Sequence, residues 1–454
     1  MQEGDSMTPS QVGILNLNNL SYKLEPDLAV VVQRNVQSSF FTSQSYGPSQ
    51  TMTCIVNSGS AFVNLKQSYL VLDVANLSTG GTDASTSWFG PHGGSGCNFI
   101  NRIQIIAKNG VVLERIDNAN ALAAAKVCYM SQSWKQSVGS LAGIASTSAA
   151  LGWASGDDVT TVGAITLRFM IPLYMFSTFC DSMGSLCPSQ LLSGARFEIQ
   201  LESADNAMIS TEASKVNNYA ISQCRIDFES YLLTDSVLRI INQTAASQGL
   251  EVVAATSQDT QSQRTSSAIV VDVARSCSRA LNVLYKERAV PGATGYPAVG
   301  STLFDHMASA AIVAGNIPSE WQVRAGQLYF PQSSIRNPGT SLGYAENELY
   351  LQTLRSFQKL SPVGDKVSAF SSLFDFRGSL TSTAGSAAAG SNACFALDLQ
   401  RSAILTSGIP LSNSRQLSIA YRTTTSPPST LNVDVYLTYQ ILVRVFLSQC
   451  VLEV

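Results

Sequence analysis

In Arg196-Phe-Glu-Ile-Gln-Leu-Glu202, apolar Phe197, Ile199 and Leu201 alternate with Glu198, Gln200 and Glu202. Successive side chains of a β-strand point to opposite faces, so a strict period of two makes this a strand with one buried and one wet face. Cys224, Ile226 and Phe228 alternate with Arg225, Asp227 and Glu229 in the same way, and Val433, Val435 and Leu437 alternate with Asp434 and Thr438. Between Arg102 and Ile116, apolar runs flank Lys108-Asn109-Gly110. Asn-Gly tolerates positive φ at both turn positions, which predicts a hairpin. The chain is therefore expected to be mainly antiparallel β-structure.

Helices are few. Ala-rich Asn118 to Gln132 reads as one, and Glu346 to Leu360 as another, with Leu349, Leu354 and Phe357 on neighbouring turns. Ser236 to Ala246 reads as a third, joining two halves. Long Gly/Ser/Thr loops run from Ser78 to Gly96, Ser137 to Asp157 and Ser379 to Asn392, and loops of that length are usually functional or interfacial. The order of elements repeats: strands, a helix, a long loop, a Ser-Gly pair and two last strands. Ser193-Gly194 returns as Ser407-Gly408 after 214 residues, and the helix start returns from Asn118 to Glu346 after 228. Similar offsets in unchanged order point to a duplicated β-sandwich. A chain of 454 residues is long enough for two domains of about 200 residues each. The expected organisation is an N-terminal arm over 1–37, a first sandwich over 38–234, a linker over 235–249 and a second sandwich over 250–454.

Hydrophobic residues make up 45% of the chain and the mean hydropathy is +0.12, enough apolar material for two cores. Charged residues are only 13%, about half the usual share of roughly 25%. A surface that poor in charge is expected where copies of the chain cover one another. The net charge is −3 and no run of Lys or Arg occurs. Coating nucleic acid needs clustered cations to release counterions, so direct nucleic-acid binding is not expected. Nine cysteines include no C-x-x-C pair, and Cys54, Cys224 and Cys450 sit in strand-like runs. Free buried thiols, compatible with folding in a reducing compartment, are the reading that follows. Met1 to Ser10 is polar, without the apolar core of a signal peptide, and no stretch reaches the roughly 18 apolar residues of a membrane span. A soluble chain with no transmembrane segment is expected.

The motifs that could carry chemistry read as structure. The two histidines, His92 and His306, form no metal-ligand spacing, so no metal or other cofactor is expected. His92 lies in Gly90-Pro-His-Gly-Gly-Ser-Gly96, which lacks the Gly-Lys-Ser/Thr ending of a phosphate loop. Gly339-Thr-Ser341-Leu-Gly343 matches a nucleophile elbow, but Asn337-Pro338 marks a turn before it and no histidine follows Ser341. Asp157-Asp158 in a loop and Glu198 and Glu202 on a strand's wet face could pair as a glycosidase would need, yet acidic residues on wet faces are ordinary. Asp305 is the immediate neighbour of His306, so on a strand the two would face opposite sides. No catalytic, cofactor-binding or metal residue is therefore assigned.

Several stretches together resemble the double jelly-roll major capsid proteins of eukaryotic DNA viruses, most nearly those of polinton-like viruses and virophages. They are Phe40 to Val74 with Pro48 and Ser68-Tyr-Leu-Val-Leu-Asp-Val74; Ile103 to Ile116, similar to that family's hairpin with a Gly-x-x-hydrophobic-Glu turn; Leu167-Arg-Phe-Met-Ile-Pro-Leu173; and Leu191 to Leu201. In the second half they are Asp398-Leu-Gln-Arg-Ser402, Ser407-Gly408 and the strands from Val433 to Val454. The Gly-rich, Gln-Leu-containing opening of the giant-virus proteins is absent, which favours a smaller virus. The resemblance implies two tandem eight-stranded jelly-roll β-sandwiches with a few short helices in loops. It implies a homotrimer forming a pseudo-hexagonal capsomer, tiled with neighbouring capsomers and with minor capsid and penton proteins into an icosahedral shell, made and assembled inside the host cell. It implies no enzyme. The segment Gln2 to Gln33, with Leu15, Leu17, Leu20 and Leu24 among polar residues, would be an arm on the capsomer's inner side. Two other functions suit tandem sandwiches: a glycan- or receptor-binding module, using Trp88-Phe89 and Tyr296 at loop tips, and a glycan hydrolase or amidase.

Overall fold

The structure, a computed structural model, describes residues 31–77, 87–89, 96–128, 130, 134–143, 166–183, 186–210, 216, 218–275, 278–289, 318–336, 345–357, 394–400, 408–412, 415–423, 426, 430–446 and 450–453. Eight principal strands make up the first half: β1 (Val31–Phe40), β2 (Thr51–Ile55), β3 (Phe62–Asn76), β4 (Ile100–Ile106), β5 (Val112–Ile116), β6 (Thr166–Pro172), β7 (Arg196–Leu201) and β8 (Tyr219–Leu233). They form two antiparallel sheets, ordered β1-β8-β3-β6 and β2-β7-β4-β5. The second half holds β9 (Leu250–Arg264), β10 (Ala268–Val273), β11 (Arg279–Ala289), β12 (Pro318–Ala325), β13 (Leu328–Arg336), β14 (Phe395–Asp398), β15 (Leu417–Thr423) and β16 (Leu431–Val445). Their sheets run β9-β16-β11-β14 and β10-β15-β12-β13. Each strand of the second half thus sits where the strand eight numbers earlier sits in the first. This interleaved order of two facing four-stranded sheets is the jelly roll, built twice.

The alternation that marks β7 is carried out in three dimensions. Phe197, Ile199 and Leu201 are fully enclosed, and the Phe197 ring lies 5.9 Å from Phe228 of β8 in the facing sheet. In the second half Tyr285 of β11 meets Tyr421 of β15 across the sandwich at 5.1 Å, and Phe395 of β14 stacks on Tyr285 at 5.9 Å. Burying such side chains contributes about 1.5–3 kcal/mol each.

Four helices matter to the architecture. Helix α1 (Ala119–Cys128) follows β5, and α2 (Thr178–Ser182) follows β6. Helix α3 (Asp235–Ser247) joins the halves, and α4 (Ala345–Ser356) follows β13. The repeated helix read from the sequence therefore occupies the same topological position twice, after the fifth strand of each half. The Ser-Gly landmark is less regular: Gly194 leads directly into β7, whereas Gly408 lies beside Ala280 of β11 and leads into the short strand Ile409–Pro410.

Two hairpins depart from the expectation or were not legible. The turn between β4 and β5 has positive φ only at Gly110 (+87°), not at Asn109; Gly110 N donates to Ala107 O at 2.9 Å and Ala107 N to Val111 O at 2.8 Å. That is a type I turn closed by a glycine bulge, which needs left-handed backbone at one residue. Between β12 and β13 the chain turns on Gly326-Gln327, with positive φ at Gly326.

Residues 31–37, assigned to the arm by sequence, form most of β1 and pair with β8. Val32, Val36 and Phe40 share one face, but the other face carries Gln33, Asn35 and Gln37, so no apolar run announces the strand. Glu202, expected on a wet face, is buried beyond the end of β7. The rest of the arm, 1–30, and most of the three long loops lie outside the described residues.

Candidate assembly surfaces and the seam between the sandwiches

The first sandwich presents its β5 edge, with α1 and α2, to the second. The second receives them on the β9 edge and the outer face of its β9-β16-β11-β14 sheet. Glu114 of β5 is the centre of this seam. It is buried and accepts hydrogen bonds from Ser177 Oγ, Thr178 N (3.1 Å) and Phe179 N (2.9 Å) of its own half. From β9 it accepts Thr256 Oγ1 (3.1 Å) and Ser257 N (3.4 Å). The carboxyl group thus takes the Thr256 hydroxyl and the Ser257 amide on the free edge of β9. Removal from water pushes the Glu114 carboxyl above its usual range, against the lowering influence of Ser177, Phe179, Lys126 and Ser257.

Further polar contacts run along the same seam. Asn118 Nδ2 donates to Asp434 Oδ1 at 3.0 Å, Tyr436 hydroxyl donates to Asn118 O at 2.8 Å, and Ser182 Oγ exchanges hydrogen bonds with Ala255 N and O. Asn109 Nδ2 reaches Cys450 O at 2.6 Å. These directional polar contacts favour one orientation of the two sandwiches.

Each sandwich also buries a carboxylate of its own. Glu202 accepts from Asn101 Nδ2 (2.7 Å), Asn120 Nδ2 (2.8 Å), Asn206 Nδ2 (3.1 Å) and Ser203 N (2.9 Å). Glu287 on β11 is held by Arg264 of β9 in a two-pronged pair, Nε to Oε1 at 2.5 Å and Nη2 to Oε2 at 2.9 Å, and accepts from Tyr285 hydroxyl at 2.7 Å. In these three places the carboxylate oxygens are engaged by protein donors, an arrangement that locks packing. Among the described residues no group of three or more His, Cys, Asp or Glu is placed to hold a metal ion.

The residues singled out for possible chemistry, His92, His306, Asp305, Ser341, Asp157 and Asp158, lie outside the described residues, as does Tyr296. Trp88 and Phe89 belong to a short strand, Ser87–Phe89, paired with Met208–Ser210 rather than to an open loop tip. Glu198 remains partly exposed and pairs with Arg196 at 2.9 Å. Cys54, Cys97, Cys180, Cys187, Cys224, Cys394 and Cys450 are free and buried, and burial pushes the Cys54, Cys187 and Cys224 thiols up to about 12. No helix among the described residues is long and apolar enough to cross a membrane. The seam residues Glu114, Asn118, Thr256 and Asp434 were not found from sequence. Glu114 closes the Gly-x-x-hydrophobic-Glu turn read from the sequence and ends the apolar run Val111-Val112-Leu113, but neither feature marks it as buried.

Large apolar side chains stand in solvent at several places, including Ile55, Ile240, Val253 and Val270, and in two further groups. On β1 they are Val32 (63% exposed), Val36 (72%) and Phe40 (67%). At the far side of the second sandwich they are Leu328 and Tyr329 of β13 and Leu351 of α4. The polar residues between those of β1 are already tied to β8: Arg34 pairs with Glu229, and Ser38 Oγ donates to Asp227 Oδ1 at 2.5 Å.

No protein-family model matches the chain, and a search of curated proteins returns no match. Solved structures do match over nearly the whole length. The Faustovirus major capsid protein aligns at a TM-score of 0.57 and 10% identity, over 96% of this chain and 94% of that one. A chain of the Sputnik virophage aligns at 0.57 and 11%, over 100% and 93%, and the mavirus major capsid protein at 0.52 and 10%, over 100% and 96%. Strand order, sheet pairing and these full-length alignments agree: the chain has the double jelly-roll fold.

Proposed function

We propose that this chain is a structural major capsid protein of a small DNA virus, without catalytic function, whose homotrimers form the pseudo-hexagonal capsomers of an icosahedral virion. The observation that carries the reading is the strand-for-strand repetition of one sandwich within a single chain. Three copies place six equivalent sandwiches in a ring, so one chain type can tile a hexagonal lattice. Full-length similarity to viral capsid chains supports it, as does the low charge, which suits surfaces covered by copies of the same chain. A first jelly roll that begins with β1 at Val31 and runs to 234, a second over 250–454, a linker over 235–249, an arm ahead of the first facing the capsid interior, and minor capsid and penton partners complete the proposal. Location in the virion after assembly inside the host cell follows from it. Cryo-imaging of purified protein tests the reading. Trimeric capsomers or icosahedral particles are the expected result; a monomer at micromolar concentration at low and high salt would overturn it.

A further inference from the structure

We propose that Asn109 is a site of deamidation guarded by the strand Cys450–Glu453, so that the tip of the β4–β5 hairpin is a one-way latch between the two sandwiches. Asn109-Gly110 is the one Asn-Gly pair in the sequence. Glycine puts no side chain between its own amide nitrogen and the carboxamide of the asparagine before it. No atom beyond the chain neighbours lies within 4 Å of where a Gly110 Cβ would stand, and Lys108, Asn109 and Gly110 are all exposed to water. The step is an internal amide exchange. Gly110 N forms a bond to Asn109 Cγ, the Cγ–Nδ2 bond breaks, and Nδ2 leaves as ammonia with the proton of the Gly110 amide. Water then opens the cyclic imide at either carbonyl. The product is aspartate or, with an extra carbon in the backbone, isoaspartate. Water is the only other reactant, and nothing is oxidised or reduced.

In the folded chain both reacting groups are engaged. The strand Cys450–Glu453 pairs with Leu442–Val445 of β16, and Leu452 packs against the core. That pairing brings buried Cys450 to the hairpin tip. Asn109 Nδ2 donates to Cys450 O at 2.6 Å, and Asn109 Oδ1 accepts from Cys450 Sγ at 3.2 Å and from Val111 N at 3.4 Å. Gly110 N, the nucleophile, is committed to Ala107 O at 2.9 Å. The carboxamide must turn off Cys450 and Gly110 N must leave Ala107 before the new bond forms. Conversion therefore runs from a locally opened state, and the seated strand keeps that state rare.

The product does not fit the site it leaves. A carboxylate at position 109 has no N–H to give Cys450 O, and its charge stands against that carbonyl oxygen. Isoaspartate moves Gly110 along the backbone and breaks the turn that holds Ala107 and Val111. The strand does not reseat in the same way, and a contact between residues 341 apart, one in each sandwich, is lost for good.

The test follows acid and isoaspartate at position 109 by peptide mass spectrometry in the full-length protein held at neutral pH. Wild type is compared with Leu452→Asp, which puts a charge on the core side of the strand and unseats it, and with wild type unfolded in urea. Thermal melts verify that the variant keeps its fold. Conversion is expected to be slowest in folded wild type and faster by at least about tenfold in Leu452→Asp and in urea. Folded wild type converted as fast as the urea-unfolded chain would overturn the guarding, whether or not Leu452→Asp folds. A folded Leu452→Asp protein converted no faster than wild type would overturn it as well. Asn109→Asp carries the product from the start. Hydrogen exchange of the Cys450–Glu453 amides is expected to quicken in it by about tenfold, with the core amides of β7 unchanged. Exchange equal to wild type there would overturn the latch.

Discussion

The two sandwiches have the same strand order, yet they bury a carboxylate by opposite means. In the first, Glu202 sits beyond the end of β7 and is held by uncharged donors from Asn101, Asn120, Asn206 and Ser203. In the second, Glu287 lies in mid-strand and is neutralised by Arg264, whose guanidinium also stands 5.3 Å over the Tyr421 ring. Topology fixes neither solution. A dispersed set of amides tolerates the loss of one member, because the others still solvate the charge. An ion pair has one partner, and removing it strands the other charge inside the core. At these two carboxylates the same fold is thus robust in one place and brittle in the other.

The largest effect should come from the brittle side. Arg264→Ala is expected to destabilise the protein by about 3–5 kcal/mol, because Glu287 loses its cation in a fully buried site. Chemical denaturation would measure it; a loss below about 1 kcal/mol would erase the distinction between the halves. At the seam, Glu114→Gln replaces a carboxyl with an amide whose NH2 would face the donors Thr178 N, Phe179 N and Ser257 N. A cost of about 1–3 kcal/mol is expected, and its pH dependence carries the sign. Burial raises the folded Glu114 carboxyl above its ordinary value of 4.5, so the folded state holds that proton more tightly. The stability this group contributes is fully present below the unfolded value and is lost as pH rises through the folded one. The gap between wild type and Glu114→Gln should narrow as pH rises from 4 toward neutrality, read from paired thermal melts; a gap that widens would refute the assignment.

A smaller loss, about 1.5 kcal/mol, is expected for Asn120→Ala, which takes one donor from Glu202 and leaves the rest. A cost equal to that of Arg264→Ala would mean that the amide cluster is as brittle as the ion pair. The smallest contrast lies in the paired hairpins. Gly110→Ala meets no atom within 4 Å of the added Cβ and should cost about 1 kcal/mol for the left-handed backbone alone. Gly326→Ala also meets Arg415 Cγ at 3.1 Å, so it should cost somewhat more, unless that flexible side chain moves aside. Equal melting temperatures for the two variants would show that Arg415 yields freely.

Much of the fold was legible because a strand's faces are written locally. Phe197, Ile199 and Leu201 announce β7, Val433, Val435 and Leu437 announce β16, and the helix after the fifth strand repeats in register with the duplication. β1 was not legible, since one face is polar and the other mixes exposed Val32, Val36 and Phe40 with Arg34 and Ser38, a combination that a search for buried faces passes over. The β12–β13 hairpin was missed because Gly326-Gln327 is a weaker turn signal than Asn109-Gly110. Low charge raised the expectation of covered surfaces but gave no place for them.

By itself the sequence determined the β class, the doubling and the absence of a basic tract, because period, offset and composition are properties of the chain taken along its length. Only the tertiary structure decided which charged residues are buried. Glu114, Glu202 and Glu287 look like wet-face residues in their own segments. Each has at least one enclosing partner 23 or more residues away, and Glu114 also has partners in the other sandwich. The water that a carboxylate loses, and the donors that replace it, are set by how sheets cover one another, and no local period records that.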